Sequence, residues 1–400
     1  MINPSVHGWI DKYFLGLKSG GDQPTGEAEV FYREIRKTGF IYGHIISYYT
    51  ARKIENRGWL DEEVSKLALL VILHRLYVEI RNDDNREKFV AEAIAFYNEM
   101  RPKGLNLLKK VLPGQPPSLQ LEEIIDERVQ TNDNIISKNF SHIVTNALLF
   151  IDVIAFQKFL ESGSLPEKYL KSAEELIIGV VSLALQTKVR KSQYDNLLIR
   201  LFEASLRFGK FSNVSVSNLE SLDLTFFNNP LERYYLLDLA GMAMWSDGVL
   251  ENEERYFLYK IGEFLNLSDA LVEESMFEVN DFIGKHKKEI AYFNYSNPVK
   301  HFYDHMTESV VILIKRNKNR LVKEITQSGE LVRLLAQSTT RDLDEKEKKR
   351  MRKQILDICK TIPSLTIFLL PGGSLLLPIL IKFIPQMLPS AFNENSDIDS

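Results

Sequence analysis

Apolar residues recur at three- and four-residue intervals along almost the whole chain, and strict alternation of apolar and polar positions is scarce. That periodicity belongs to helices rather than strands, so the chain reads as all-α, a multi-helix bundle. Residues 62–78 and 90–100 carry the pattern, separated by the polar break Asp83-Asp84-Asn85. Residues 111–119 (VLPGQPPSL) interrupt it and read as a connector, because Pro113, Pro116 and Pro117 remove backbone donors and push their predecessors toward extended conformations. Residues 132–160, 166–185 and 191–208 follow as helices, with Pro166 placed at a first helical position, where a missing N–H costs nothing. The Ser- and Asn-rich stretch 211–230 marks a boundary, and three domains follow: 1–225, 226–300 and 301–400. Phe150-Ile151-Asp152 and Leu236-Leu237-Asp238 each lead through an apolar helix to a glycine, Gly163 or Gly248, and then to another helix. A degenerate duplication is open, though any two helical hairpins of this length would align about as well.

Residues 234–283 read as a soluble module: the helix LLDLAGMAMW, the loop SDGVLENEE, the helix RYFLYKIGEFL, and a third helix capped by Ser268. Phe257, Leu258, Ile261, Phe264 and Leu265 share one face of the second helix and are expected to point inward. Asp247-Gly248 makes the turn, and Glu251, Glu253 and Glu254 sit where the positive end of the helix dipole stabilises acids. Capping alone accounts for these acids. The arrangement resembles the tellurite-resistance TerB-like family, whose signature is an apolar helix, an Asp-Gly turn and glutamates opening the next helix. That resemblance implies Asp247, Glu253 and Glu254 as the positions that would carry a divalent ion. An EF-hand is a poor fit, because Gly248 follows Asp247 immediately where a calcium loop needs further oxygens first. The expectation is a capped, solvated helix start and no metal site.

Near the C-terminus, residues 362–381 contain no Asp, Glu, Lys, Arg or His, and prolines recur at Pro363, Pro371, Pro378, Pro385 and Pro389. A helix of about twenty residues spans roughly 30 Å, the hydrocarbon thickness of a bilayer. Prolines would break such a helix in a water-soluble core, whereas in a membrane neighbouring helices and local tightening satisfy the freed carbonyls. Upstream lie Lys346, Lys348, Lys349, Arg350, Arg352, Lys353 and Lys360; after Lys382 the only charges are Glu394, Asp397 and Asp399. The positive-inside rule then keeps the upstream side in the cytoplasm. A Pro-rich hydrophobic membrane segment, residues 362–388, is expected. Gly372 and Gly373 leave other geometries open, because the stretch from Ile362 through Leu369 to Leu370 is about 13 Å long as helix and too short to cross alone. A re-entrant hairpin within one leaflet, or a hairpin buried in a soluble protein, stays possible.

From residue 309 to 392 the chain resembles the Letm family, leucine-zipper, EF-hand-containing transmembrane proteins of the mitochondrial inner membrane with bacterial relatives. The likeness lies in a basic amphipathic helix (SVVILIKRNKNRLVKEI), a charged turn and helix (LDEKEKKRMRKQILDIC), and the run IPSLTIFLLPGGSLLLPILIKFIPQMLPSAF. Asp344 with Glu347 makes an N-terminal capping box, and Met351, Ile355, Ile358 and Ile362 trace one apolar face toward the membrane segment. The resemblance implies a single proline-punctuated span, with Pro371, Pro378, Lys382, Pro385 and Pro389 on its pattern. Letm proteins continue into a long helical region implicated in ribosome binding, whereas this chain ends at Ser400, eight residues after Phe392, so no ribosome partner is expected. A TerB-like hairpin ahead of a Letm-like segment also looks like bacterial proteins described as Letm-related and biofilm-associated.

A net charge of −4 gives no global basic field for nucleic acid, and the single cysteine, Cys359, excludes an internal disulfide and reads as a packing residue. The N-terminus, MINPSVHGWIDKYF, lacks a basic n-region and a long apolar run, so no secretory signal is expected and the bulk of the chain is placed on the cytoplasmic face of the inner membrane. No P-loop, G-x-G-x-x-G, G-x-S-x-G or H-E-x-x-H occurs, so no enzyme and no cofactor are expected. His301 and His305, at helical spacing, lack a third convergent ligand and read as surface or packing residues. Three functions stay open. One is a membrane-tethered scaffold or adaptor bound to the lipid bilayer through its tail, with protein partners unidentified and a homo-oligomer open. The second is a component of cation/proton exchange and cation homeostasis, by analogy with the Letm family. The third is a soluble helical protein with a buried tail.

Overall fold

The computed structural model describes residues 2–17, 24–50, 54–56, 58–100, 115–129, 135–166, 168–188, 218–245, 250–287, 289, 311–341, 343–362 and 365, with only the backbone at 135–147 and 339–340. All regular elements among the described residues are helical. Two compact units emerge: residues 1–57, 61–132 and 137–294 form the first, and residues 58–60, 133–136 and 295–400 the second. The boundary at 225 drawn from the sequence falls inside the first unit.

The first unit holds α1 (Trp9–Leu15), α2 (Ala28–Lys37), a 3₁₀ turn (Phe40–Tyr42), α3 (Asp61–Arg81), α4 (Arg86–Glu99), α5 (Pro117–Val129), α6 (Ile135–Ser162) and α7 (Tyr169–Thr187). It continues with α8 (Pro230–Met244), α9 (Asn252–Phe264) and α10 (Asp269–His286). In α3 the consecutive residues Leu67, Ala68, Leu69, Leu70, Val71, Ile72 and Leu73 are all buried. No single helix face is that wide, so α3 is core on every side. Among the described elements α8 is a second hub, packing on α2, α7, α9 and α10. Close packing of α9 on α10 depends on Gly262, where a Cβ would lie 2.4 Å from Val272 Cγ2.

Two readings of proline need correction. α5 starts within the expected connector, with Pro117 as its first residue. Proline is excluded from helix interiors because of its clash and missing donor, and neither matters at the first position. Conversely, Pro166 is not a first helical residue. Lys168 takes a left-handed conformation (φ 64°), so α7 opens at Tyr169 after a turn closed by Tyr169 N–H to the Pro166 carbonyl at 3.1 Å. α1 begins at a left-handed Gly8 with no capping side chain of its own. Glu122 of α5 supplies the cap from a distance, accepting the Gly8 and Ile10 N–H groups at 2.9 Å each. Burial raises the Glu122 pKa even against those bonds.

A fully buried aspartate lies in each of two apolar helices. Asp238 of α8 accepts Arg36 Nε at 3.0 Å and Nη2 at 3.1 Å, Tyr32 Oη at 2.9 Å and Ser275 Oγ at 2.5 Å. Asp152 of α6 accepts Tyr97 Oη at 3.1 Å, Arg128 Nε at 2.7 Å and Arg128 Nη2. A carboxylate placed among leucines must be paired and hydrogen-bonded to persist there, and a bidentate arginine with a tyrosine does both. The two sites share residue types, but Tyr32 and Arg36 come from α2 together, whereas Tyr97 and Arg128 come from α4 and α5.

The second unit contains a helical stretch at 311–316, then α11 (Lys318–Gln327), α12 (Gly329–Thr340) and α13 (Glu345–Thr361). The basic helix expected across 309–325 is thus interrupted at Asn317, although the bond from Asn317 N–H to the Leu313 carbonyl carries the hydrogen-bond chain past the break. Leu321 and Ile325 of α11, Leu331, Leu334 and Leu335 of α12, and Met351, Ile355 and Ile358 of α13 share one core.

Candidate functional site

α13 is built as the sequence suggested. Asp344 accepts the Glu347 N–H at 2.7 Å, and Glu347 returns the bond to the Asp344 N–H at 2.9 Å. Arg341 clamps the same Glu347 carboxylate at 2.7 and 2.9 Å, which helps hold its pKa down to about 2. Met351, Ile355, Ile358 and Ile362 do form one stripe, but that stripe is spent on the helices of its own unit and is not presented outward. Cys359 belongs to the same core, and burial pushes its thiol up to about 12. What α13 offers to solvent is charge. Lys346, Lys349, Arg350, Arg352, Lys353 and Lys360 are exposed, while Lys348 is half-buried beside Glu345 at 3.0 Å. Arg350 and Lys360 have acidic neighbours, Glu330 at 3.8 Å and Asp357 at 2.6 Å.

The helix delivers the chain to Ile362, which is buried and whose carbonyl accepts the Leu365 N–H at 2.8 Å. Pro363, Leu369, Leu370, Pro371, Gly372, Gly373, Pro378, Lys382, Pro385 and Pro389 lie outside the described residues, and with them the choice between span, re-entrant loop and hairpin. Among the described residues no helix is long and apolar enough to cross a membrane. Residues 343–400 match the family model described as LETM1-like, RBD. Over these residues the chain is similar to the LETM1-like family. No curated protein and no solved structure matches the chain. The match opens at Leu343, one residue before the cap of α13, and so takes in the whole basic helix along with the proline-punctuated run.

The acidic hairpin is only partly described. Asp247 lies outside the described residues, as do His301 and His305. Glu254 closes a capping box on Glu251, accepting its N–H at 2.9 Å, and is itself buried. Glu253 is exposed on the rim of an open groove of about 580 Å³, lined also by Leu183, Leu219, Tyr256, Lys260 and Phe264. Phe264, expected to point inward, is 37% exposed in that groove, while Leu258, Ile261 and Leu265 are buried. At about 100° per residue Phe264 falls next to Phe257 at one edge of the buried arc that Leu258, Ile261 and Leu265 fill, so it borders the groove instead of entering the core.

A cluster that the sequence pattern did not point to occurs at the end of α10. His44, His286 and Glu289 bring two imidazole nitrogens and a carboxylate oxygen within 4.8 Å of one another. The spacing His286-x-x-Glu289 was legible, but nothing local pairs it with a histidine 242 positions earlier in the chain.

Proposed function

We propose that this protein is a membrane-associated, non-catalytic helical scaffold of the Letm-related type, held at the cytoplasmic face of the inner membrane by residues 362–388. The observation that carries the reading is the junction at Ile362: a capped helix with six exposed cations runs directly into twenty residues without a charge. Because its apolar stripe is already buried, α13 meets a bilayer by charge, each lysine or arginine near an anionic surface contributing on the order of 1 kcal/mol. The uncharged run supplies the hydrophobic attachment. A scaffold is favoured over an exchanger because residues 362–381 hold no ionisable group to line a proton path. The many helical surfaces ahead of the run suit protein partners, and a link to envelope or biofilm physiology rests on the sequence resemblance.

Fractionation tests the attachment. The full chain stays in the membrane pellet through alkaline carbonate, and a chain truncated before Ile362 moves to the supernatant. Identical partitioning of the two rules out the tail as anchor. Liposomes containing the purified protein show no potassium- or calcium-driven proton flux above empty vesicles. Flux that the truncation abolishes replaces the scaffold reading with the exchanger.

A further inference from the structure

Glu289 Oε2 lies 3.3 Å from His44 Nε2 and 3.1 Å from His286 Nδ1. In a tetrahedral shell with metal–ligand bonds of ~2.0–2.1 Å, neighbouring ligand atoms are separated by roughly 3.3 Å. Two of the three ligand–ligand edges already have that length, and the third, between the imidazoles, is no longer than 4.8 Å. We infer that His44, His286 and Glu289 form a three-ligand site for a zinc-class divalent cation, with the fourth position open to water.

The surroundings fit that assignment. Phe282 walls the site, its ring 4.8 Å from that of His286 and 6.4 Å from that of His44, and Tyr42 lies over Phe282 at 4.4 Å. These contacts hold both imidazoles in place before any ion arrives. His44 is also fixed through its backbone, whose N–H donates to the Gly39 carbonyl at 3.2 Å. Gly39 is left-handed (φ 79°), and a Cβ there would lie 1.9 Å from the His44 carbonyl oxygen, so only glycine permits this turn. His286 is the last residue of α10, where the helix dipole favours a positive charge.

Two imidazoles and one carboxylate suit zinc and its neighbours, whereas calcium and magnesium call for oxygen shells. Glu289 is 62% exposed on its side chain, which leaves room for a water on the outer side. An ion held here ties the turn after the 3₁₀ segment to the end of α10, two parts of the first unit that are otherwise remote in sequence. The site is separate from the Letm-related tail and does not depend on how that tail meets the bilayer.

The test uses the full chain in detergent, stripped with a chelator and titrated with Co²⁺ and with Zn²⁺. One equivalent of Co²⁺ gives the intense visible absorption of a tetrahedral ion, and Zn²⁺ displaces it and raises Tm by about 5 °C at saturation. His44→Ala and His286→Ala each weaken binding by on the order of 100-fold or more, and Glu289→Ala by at least about 10-fold. Glu289 is exposed, so that last variant reads the site in an undisturbed fold. The assignment is overturned if the stripped protein shows no tetrahedral Co²⁺ spectrum. It is equally overturned if the spectrum survives in both His286→Ala and Glu289→Ala, or if magnesium binds these residues as tightly as zinc.

Discussion

Replacing Asp238 with alanine removes the carboxylate on which four donors converge: Arg36 Nε and Nη2, Tyr32 Oη and Ser275 Oγ. Asp238 is 0% exposed and Arg36 6%, so water cannot replace the lost partner without opening the contact between α2 and α8. Breaking one side of a buried ion pair costs about 3–5 kcal/mol, mostly through the charge left behind. Here Glu274 still holds Arg36 Nη1 at 2.8 Å, which places the expected loss at the low end, about 3 kcal/mol. Asp238→Asn keeps the shape and one acceptor, and should lose about 2 kcal/mol. Urea unfolding followed by circular dichroism measures both, and in a thermal scan 3 kcal/mol corresponds to a fall of about 6–12 °C. Arg36→Met combined with Asp238→Leu removes both charges, and the pair should lose at least ~1 kcal/mol less than the two single losses added together. A loss below about 1 kcal/mol for Asp238→Ala, or strict additivity in the cycle, would falsify the view that this aspartate stabilises α2 against α8.

His74 is buried edge-on against Phe14 and Phe89, with neither ring nitrogen partnered among the described residues, and burial followed by the Arg75 charge lowers its pKa to about 4. Because the unfolded chain binds that proton from about pH 6.5 downward, stability is complete above pH 6.5 and falls by roughly 3 kcal/mol as pH drops through 4; His74→Leu should flatten this part of the pH–stability curve, and an unchanged slope refutes it. Glu254→Ala should cost about 1 kcal/mol as a lost cap, Glu253→Ala under about 0.5 kcal/mol, and calcium should leave Tm unmoved. A calcium-dependent rise in Tm that vanishes in Asp247→Ala makes that loop a metal site instead. Cys359, buried with its thiol raised to about 12, should resist maleimide at pH 7 until denaturant unfolds the second unit, so prompt labelling of the native chain contradicts the packing around α13.

The sequence by itself determined the helical class, the long apolar helices, the capping box at Asp344, the apolar stripe from Met351 to Ile362 and the Letm likeness of the C-terminal region. Each is a local property, set by side-chain period or by residues three or four positions apart, and such spacing survives whatever the helix packs against. Short helices were less legible: α1 and α12 carry few turns of pattern, and α5 was hidden behind the prolines that begin it. Tertiary structure alone decided where the acids and histidines go. Asp238 looked like one polar residue in an apolar helix until α2 brought Tyr32 and Arg36 to it. Glu122 caps a helix more than a hundred residues away, and the stripe of α13 faces its own bundle instead of a bilayer. The meeting of His44 with His286 and Glu289 has the same origin, since a convergent site needs side chains from distant segments to share a few ångströms, and only packing of the whole unit sets that distance.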